Sequence, residues 1–409
     1  PFWFRRLNRH TFSNMSEPSD SYAAVEDISV VSGTADTNCC LKPRPFCCGC
    51  CGSKVPFWAC CTGYCFVVYM IIGVAIFFIQ HYLFFPGWML SDNAPIRLPE
   101  NVEVFEFKAT RSDGKLLSGI VENATQVGLR VVSFGGNAME MYGTAEMCSR
   151  RFVPAFWKLA PKKFRDCPCP VSAGCSNKVC GTSCYATSYR GYPPNYGWTS
   201  SRTVTADLLD LVDNALQDAP GGRVLVMAWS LGTAASLQLA AANPDRIAGM
   251  LLLAPFASVG VETRAAIKNM AGMLGLAAVF PWLWIFYLDP WDSVAAMRSL
   301  PTDIPVAVAS PSMDELIPPW QHRAVFAASQ STCRAFLEVP HAGHASIDKM
   351  LQAVTDPMLR TLDHAASSCS TGEWAEAVVN RTRMAPRSLA SLRMPGLYCA
   401  AAVLLLLCL

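Results

Sequence analysis

A serine lies at the point where a predicted buried strand runs directly into a predicted helix. Residues 223–233 read RVLVMAWSLGT, and Ala228 and Gly232 flank Ser230 on either side. A turn this tight accepts only small residues at those places, and the pattern matches the nucleophile elbow G-x-S-x-G with alanine first. The following helix directs its N-terminal N–H groups and its dipole at the serine hydroxyl. The pattern predicts a nucleophilic serine, and the alternative is a serine that only caps a helix.

The base that such a serine needs is expected from a histidine later in the chain. Two histidines, His341 and His344, follow the last predicted strand closely. His322 falls within a helical stretch and His364 lies late in the final helix, so neither is assigned this role. The residue pattern alone therefore leaves His341 and His344 as the two candidates.

The acid that orients the base is expected between the serine and the histidine, after the preceding strand. The predicted strand 304–309 leads into a loop that contains Asp314, with Glu315 as the adjacent alternative. One exposed acid after a strand is usually only a solvated loop residue. Three such residues that each follow a strand, in the order serine, acid, histidine, are much harder to obtain by chance.

Two N–H donors are needed to stabilise the negative charge that develops on a substrate oxygen. One is the backbone N–H of Leu231, directly after the serine. The other is expected in the loop after the third predicted strand, where residues 133–138 read SFGGNA. Glycines let backbone N–H groups approach a substrate closely, although a plain glycine turn would have the same composition.

Strands and helices alternate from about residue 129, which would place these residues on one sheet. A predicted hairpin, residues 102–107 and 115–121, precedes this part. Helical faces are seen over residues 203–216 and 231–242, and a last helix starts at about Ser346. Further apolar runs predict strands at residues 129–134, 223–229, 247–253, 304–309 and 336–339. The alternation predicts an α/β fold with a mostly parallel sheet and helices on both faces.

The 409 residues are 52% hydrophobic and only 16% charged, and the net charge is +2. That charge excludes the strong basic footprint of a nucleic-acid binder. Residues 66–85 contain no Lys, Arg, Asp or Glu and are long enough to cross a bilayer as a helix, with a buried core helix as the alternative. Arg44 and Lys54 precede this segment closely, whereas only Arg97 follows it closely. The asymmetry predicts a single-pass membrane protein with a cytosolic N-terminus and a lumenal or extracellular C-terminal part.

The chain resembles the α/β-hydrolases, and among them a membrane-tethered single-pass branch that is also filed with prolyl-oligopeptidase-type serine peptidases. The resemblance implies Ser230, Asp314 and His344 as a catalytic triad, and Leu231 and Asn137 as oxyanion donors. It implies hydrolysis without a cofactor or a metal. It covers residues 98–366 and depends on segments 136–138, 189–192, 228–232, 243–246, 289–292, 314–319 and 343–344.

Two features depart from the family pattern. Gly135 stands where the family usually has a histidine that orders the oxyanion loop. About 25 additional residues, at about 160–184, precede the motif at Tyr189, and we expect them to form a crosslinked cap that shapes substrate access. In a lumenal compartment disulfides are favoured, with Cys148 or another cysteine completing the odd number, and a zinc site is the alternative. The cysteines of this insertion are Cys167, Cys169, Cys175, Cys180 and Cys184.

The N-terminal flank of the predicted span has two parts. Residues 1–38 are polar and predicted to be disordered. Residues 39–61 are juxtamembrane and rich in cysteine, and nine of the 19 cysteines lie between Cys39 and Cys65. Cysteines at the cytosolic side of a span are candidates for S-palmitoylation, with metal binding as the alternative.

The remaining segments flank the predicted hydrolase domain or lie on its surface. Asn123 and Asn380 belong to glycosylation sequons, which a lumenal domain could use. Residues 367–396 are predicted to be a linker. Residues 397–409 form an apolar tail, which could dip into lipid, form a short second helix or be a cleaved anchor signal.

Two hypotheses of function follow. The first is a membrane-anchored serine hydrolase that cleaves an ester, thioester or amide through an acyl-enzyme, with lipid or acyl esters favoured and peptides next. The second is a non-catalytic receptor or scaffold with the same fold, for which Gly135 is the single supporting feature. The sequence predicts the bilayer as a partner and no nucleic acid, and it specifies no oligomeric state.

Overall fold

The computed structural model describes residues 63–68, 70–71, 102–122, 127–137, 139–160, 181–219, 221–261 and 291–383. The chain consists of two compact units, Pro1–Cys65 and Phe66–Leu409. In the first unit the described residues, 63–65, are helical, and the second unit contains the sheet and all further elements.

The predicted membrane span falls largely outside the described residues. Of residues 66–85, the structure describes 66–68 and 70–71, which are helical. Within the described part of the chain, no helix combines the length and the apolar character that crossing a bilayer requires. Segments 1–38, 39–61 and 397–409 also lie outside it.

A nine-stranded sheet forms the centre of the second unit. In spatial order its strands run β1-β2-β4-β3-β5-β6-β7-β8-β9. Strands β3 to β8 are parallel to their neighbours within this set, whereas β1, β2 and β9 join in antiparallel pairing. The strands are β1 (Val102–Lys108), β2 (Leu116–Glu122), β3 (Val127–Phe134), β4 (Gly181–Thr187), β5 (Val224–Trp229), β6 (Ile247–Leu253), β7 (Val306–Pro311), β8 (Arg334–Val339) and β9 (Thr361–Leu362). The prediction of a mostly parallel sheet is confirmed.

Helices connect the strands. They are α1 (Met141–Glu146), α2 (Val153–Leu159), α3 (Ser201–Ala215), α4 (Leu231–Ala242), α5 (Ser293–Ser299), α6 (Pro319–Ala327), α7 (Ile347–Thr355) and α8 (Thr371–Arg383). A π-helical turn, Met147–Phe152, joins α1 to α2. Short 3₁₀ turns lie at Pro244–Arg246 and Pro357–Leu359. The long helix α3 starts where Ser200 and Thr203 form a capping box, which satisfies backbone N–H groups that have no partner inside the helix.

Strand β5 shows how the sequence builds a core on both faces of the sheet. Val224, Val226 and Ala228 face one apolar cluster, and the alternate residues Leu225 and Met227 face the other. Successive side chains of a strand point to opposite faces. A continuous apolar run is therefore what a parallel strand covered on both sides requires.

Helices cover both faces of this sheet, as predicted. One cluster includes Leu211 of α3 and Leu237 of α4. The other includes Phe156 of α2, Met350 of α7 and Trp374 of α8. The predicted site residues lie at the carboxyl ends of the parallel strands, where β5, β7 and β8 each lead into a loop or turn.

Two assignments made from the sequence need correction. Residues 371–383, placed in a linker, form α8, and its Trp374 is fully buried. Cys184, placed in the inserted cap, lies in β4 instead and forms a disulfide with Cys148 of the π-helical turn. A second disulfide joins Cys333 to Cys369, just before α8. The rest of the insertion, residues 161–180, lies outside the described residues.

Candidate active site

Ser230 occupies a strained turn between β5 and α4. Its backbone has φ 52° and ψ −120°, a region that costs a non-glycine residue about 1–3 kcal/mol. The surroundings impose this conformation. The Ser230 N–H donates to the carbonyl of Leu253 over 3.0 Å, and the N–H of Thr233 donates to the Ser230 carbonyl over 2.9 Å. The serine is held at the carboxyl end of a central strand.

The small residues beside the serine are required by close packing. Ala228 is fully buried in β5. A Cβ atom on Gly232 would lie 2.7 Å from the carbonyl oxygen of Gly135 and closer still to that of Phe134. Both oxygens belong to the backbone at the end of β3, which pairs with β5 in the register Phe134 to Ala228. The glycine therefore lets the elbow and the loop after β3 approach each other.

His344 connects the serine to an acid. Its Nε2 atom lies 2.9 Å from Ser230 Oγ, and its Nδ1 atom lies 2.9 Å from Oδ2 and 3.1 Å from Oδ1 of Asp314. All three residues are buried. The imidazole also lies beside the Trp229 ring, whose centroid is 5.4 Å away, and the indole N–H donates to the His344 carbonyl. The structure thus brings the three predicted residues into one hydrogen-bonded line.

Asp314 is held in place by its own turn. Its Oδ1 atom accepts the backbone N–H of Leu316 at 3.0 Å and that of Ile317 at 2.7 Å. Burial alone would raise the pKa of Asp314, but His322, His344 and the Ile317 N–H stabilise the charged form and hold its pKa well below the usual range. Asp314 is therefore an ionised carboxylate that faces an imidazole.

The structure separates the alternatives that the residue pattern leaves open. Glu315 does not bind the imidazole, because its Oε2 accepts the backbone N–H of His344 at 3.0 Å. Asp314 and Glu315 therefore fix the side chain and the main chain of the same histidine. His341 is exposed, with φ 53° and its N–H bound to Ser312 Oγ, and it makes no recorded contact with Ser230.

The predicted oxyanion residues lie on neighbouring backbone segments. Leu231 begins α4 directly after the serine. Asn137 follows β3, the strand that pairs with β5, and its side-chain oxygen accepts the hydroxyl of Tyr192. Residue 138 lies outside the described part. A Cβ on Gly136 would meet the Trp229 ring at 2.6 Å, so the backbone at Gly136 packs directly against the indole ring next to Ser230.

Tyr189 contacts the loop at Gly135, the position where the sequence departs from the family pattern. Its hydroxyl donates to the Gly135 carbonyl over 2.8 Å. Burial raises the pKa of Tyr189 well above its usual value, so the donor proton stays on the oxygen. A Cβ on Gly135 would collide with Thr144 Oγ1. The loop therefore requires a glycine at position 135, and Tyr189, which follows β4, binds its backbone.

Sequence reasoning missed one residue that contacts this site. His322 lies in the first turn of α6, and its Nε2 atom lies 3.5 Å from Asp314 Oδ2. Its helical surroundings in the sequence predict no role in the site. The sequence feature that could have placed His322 near the site is the pair Pro318 and Pro319, which starts α6 next to the carboxyl end of β7. Within the described residues, no group of three or more His, Cys, Asp or Glu could hold a metal ion.

Residues 179–300 match the model of the family described as serine aminopeptidase, S33. The chain is 24% identical over 166 residues to the alpha/beta hydrolase domain-containing protein WAV2 of Arabidopsis thaliana, covering 39% of this chain and 53% of that protein. It is 26% identical over 166 residues to protein bem46 of Schizosaccharomyces pombe, covering 39% and 51%. The chain thus spans about half the length of the curated relatives it matches.

Solved structures resemble the chain at lower identity. An esterase from Pyrococcus furiosus is 16% identical, with a TM-score of 0.43, and the match covers 63% of this chain and 87% of that one. A thermophilic esterase from Thermogutta terrifontis is 17% identical, with a TM-score of 0.39, and the match covers 61% and 93%.

Proposed function

We propose that this chain, a member of the α/β-hydrolase superfamily, is a membrane-anchored serine hydrolase that cleaves an ester, thioester or amide through an acyl-enzyme. One observation carries the proposal. A strained serine, a histidine and an ionised aspartate form a continuous line, with 2.9 Å from Oγ to Nε2 and 2.9 Å from Nδ1 to Oδ2. This is the arrangement that serine nucleophiles need for activation.

The first half-reaction forms the acyl-enzyme. Ser230 Oγ attacks the carbonyl carbon while His344 Nε2 takes the hydroxyl proton. The C–O bond of the tetrahedral intermediate forms as the carbonyl π electrons move onto oxygen. The intermediate then collapses: those electrons re-form the carbonyl, the bond between carbon and the leaving group breaks, and the protonated imidazole gives its proton to the leaving group. Asp314 keeps Nδ1 protonated and stabilises the imidazolium, without taking the proton itself.

The second half-reaction releases the acid. A water molecule gives its proton to His344 Nε2 and attacks the acyl carbon. The bond to Ser230 Oγ breaks and the proton returns to that oxygen. In both steps the backbone N–H groups of Leu231 and Asn137 would stabilise the oxyanion, each contributing about 3–4 kcal/mol to the transition state.

Exposed apolar side chains beside the site support acyl or lipid substrates. Met313, Leu316 and Trp320, on and just after the loop that carries Asp314, are 63%, 55% and 55% exposed. Large apolar side chains clustered on one short segment are typical of surfaces that contact apolar ligands. An acyl chain leading away from the reacting carbonyl would bury them.

The proposed location rests on the apolar segment 66–85 and the charges around it. It is supported by the disulfides Cys148–Cys184 and Cys333–Cys369, since disulfides persist in oxidising compartments. We therefore place the hydrolase domain on the lumenal or extracellular side. Palmitoylation of the cysteines in 39–61 and glycosylation of the exposed Asn380 belong to the same proposal.

A peptidase is the second candidate, because the matching family model is described as serine aminopeptidase, S33. The same triad cleaves amides if the site binds the amine side of the scissile bond. Turnover of a medium-chain acyl p-nitrophenyl ester and of aminoacyl p-nitrophenyl esters, which share one leaving group, by the purified full chain separates the two. We expect the medium-chain acyl ester to be preferred by at least tenfold in kcat/KM, and the reverse preference would favour the peptidase.

Labelling with a fluorophosphonate probe tests the hydrolase proposal in cells. Wild type should be labelled, and Ser230→Ala should not. Ser236→Ala is the matched control, because this buried serine of α4 only donates to the Thr233 carbonyl. A membrane-impermeant probe applied to intact and permeabilised cells reports the side of the membrane. Equal labelling of wild type and Ser230→Ala would contradict the assignment of the nucleophile.

A further inference from the structure

A second histidine contacts the carboxylate of the triad from a different element. The His322 side chain on α6 is fully buried, and so is that of Asp314. Its Nδ1 atom lies 2.9 Å from Ser310 Oγ of β7. Its Nε2 atom lies 3.5 Å from Asp314 Oδ2 and has no partner at normal hydrogen-bond distance among the described residues. The mechanism above does not use this residue.

The surroundings of His322 determine its protonation. Burial is the largest influence and lowers the pKa of His322, while the charge of Asp314 opposes that shift. The ring is therefore neutral, with one N–H and one accepting nitrogen. If the hydroxyl of Ser310 donates to Nδ1, the ring hydrogen is on Nε2 and faces Oδ2. Buried polar nitrogens are nearly always satisfied, and Asp314 is the acceptor that this nitrogen faces.

The two oxygens of Asp314 have different partners. Oδ1 accepts the backbone N–H groups of Leu316 and Ile317. Oδ2 is the oxygen nearer to His344 Nδ1, and His322 faces the same atom. His322 is thus placed to restrain the oxygen that the base uses.

We propose that His322 is a positioning residue, whose neutral imidazole holds Oδ2 of Asp314 toward His344. The Nε2–H group of His322 also offsets part of the negative charge that the carboxylate presents to His344. The inference rests on the proposed hydrolase function. His322 touches neither substrate nor the reacting atoms, and no proton moves through it. Its effect reaches Ser230 through Asp314 and His344.

Removal of the Nε2–H has a consequence that a packing defect does not have. The full carboxylate charge then acts on His344, which favours the protonated and inactive form of the base. The acid limb of the pH dependence of kcat/KM should move to higher pH, while the rate on the alkaline plateau stays near that of wild type. Among the described residues, the titratable groups that act on His322 are Asp314 and His344. The adjacent Arg323 points instead to Asp363 and Glu338.

A matched pair of variants isolates the N–H group. His322→Gln keeps an N–H donor near the Nε2 position, whereas His322→Met has a similar length and volume without a donor. Hydrolysis of a p-nitrophenyl ester by the purified full chain is followed from pH 5 to 9. We expect the acid limb of the Met variant to move upward by about half to one pH unit, with KM unchanged and the Gln variant close to wild type. Thermal unfolding should give similar midpoints for both variants.

The same pair tests the inference even without turnover. If wild type neither hydrolyses the ester nor reacts with fluorophosphonate, the proposed function fails. NMR titration of the His344 ring in the full chain then reports the hold of His322 on Asp314, and its midpoint should rise in the Met variant only. Equal acid limbs or equal NMR midpoints in the Met and Gln variants would overturn the proposal, as would a downward shift in the Met variant.

Discussion

Gly232→Ala is the substitution that tests the packing of the elbow most sharply. An alanine in the first turn of a helix would normally stabilise it by up to about 1 kcal/mol relative to glycine. Here the added Cβ would stand 2.7 Å from the Gly135 carbonyl oxygen and closer still to that of Phe134, where ordinary contact begins at 3.4 Å. Both obstacles are backbone atoms that cannot rotate away. The end of β3 must move by about 0.7 Å or more to make room.

The expected cost follows from that displacement. Overpacking of this kind destabilises proteins by about 1–3 kcal/mol, which outweighs the gain in helix propensity, so we expect a net loss of about 1–2 kcal/mol in the free energy of unfolding. The displaced backbone leads into Asn137. Because a misplacement of about 1 Å can reduce a rate about 100-fold, kcat should fall by a similar factor.

Gly143→Ala is the matched control. It lies in the short helix α1, where the nearest atom to an added Cβ is on the Met139 side chain at 3.5 Å. Denaturant unfolding and ester hydrolysis should show this variant equal to wild type or slightly more stable. If Gly232→Ala were as stable and active as wild type, or if Gly143→Ala were equally damaged, the argument from close packing would be wrong.

Three further sets of substitutions have expected outcomes. Asp314→Asn should lower kcat by about four orders of magnitude, because the amide cannot hold the base in the correct tautomer. The folded state lowers the pKa of Asp314, so ionisation of this carboxyl stabilises the fold at pH values above the usual pKa of aspartate. That stabilisation is lost on acidification. The thermal midpoint of wild type should therefore fall more than that of Asp314→Asn as the pH drops below about 4. Tyr189→Phe leaves the buried Gly135 carbonyl without its hydroxyl donor, which should lower stability by about 1–3 kcal/mol. It should also reduce kcat with little change in KM. Unchanged kinetics would show that the loop does not depend on this hydrogen bond. Replacing Cys333 and Cys369 together by alanine removes a disulfide with a sequence separation of 36. Equilibrium unfolding should show that the free energy of unfolding falls by about 2–4 kcal/mol. Equal stability of the oxidised wild type and the variant would exclude a stabilising role for this bond.

The strained serine of the proposed triad, Ser230, could be found from the sequence because its pattern is local. An apolar strand, two small residues and a helix stand within 20 consecutive positions, 223–242. The steric reason for Gly232 lies outside that segment, since an added Cβ would meet the backbone carbonyls of Phe134 and Gly135. The order serine, acid, histidine then predicts the other two residues after later strands, and Asp314 and His344 follow β7 and β8. Fold class followed from the same alternation of strand and helix.

The finer choices depended on contacts between distant segments. Asp314 and Glu315 are adjacent and chemically alike, and they differ in whether they face the side chain or the main chain of His344. The helical pattern around His322 predicts no role in the site, although α6 starts beside the carboxyl end of β7 and turns this ring toward Asp314. Neither distinction is encoded in local periodicity.

Two elements carry weak or misleading local signals. Strand β4 reads GTSCYAT, without the apolar alternation that marks a strand, since it pairs with neighbours on both sides through its backbone and buries small polar side chains. Helix α8 lies beyond the last residue expected from the family resemblance. Its Trp374 stacks edge-on against Phe156 at 5.8 Å, a contact between distant parts of the chain.

Mass-spectrometric identification of the residue modified by a fluorophosphonate shows directly whether Ser230 is the nucleophile. The full chain is labelled at neutral pH, digested and sequenced, with His344→Ala and Ser236→Ala treated in parallel. We expect one adduct, on Ser230, at equal yield in wild type and Ser236→Ala and formed at least 100-fold more slowly in His344→Ala. An adduct on another serine, or labelling of Ser230 that does not depend on His344, would contradict this assignment.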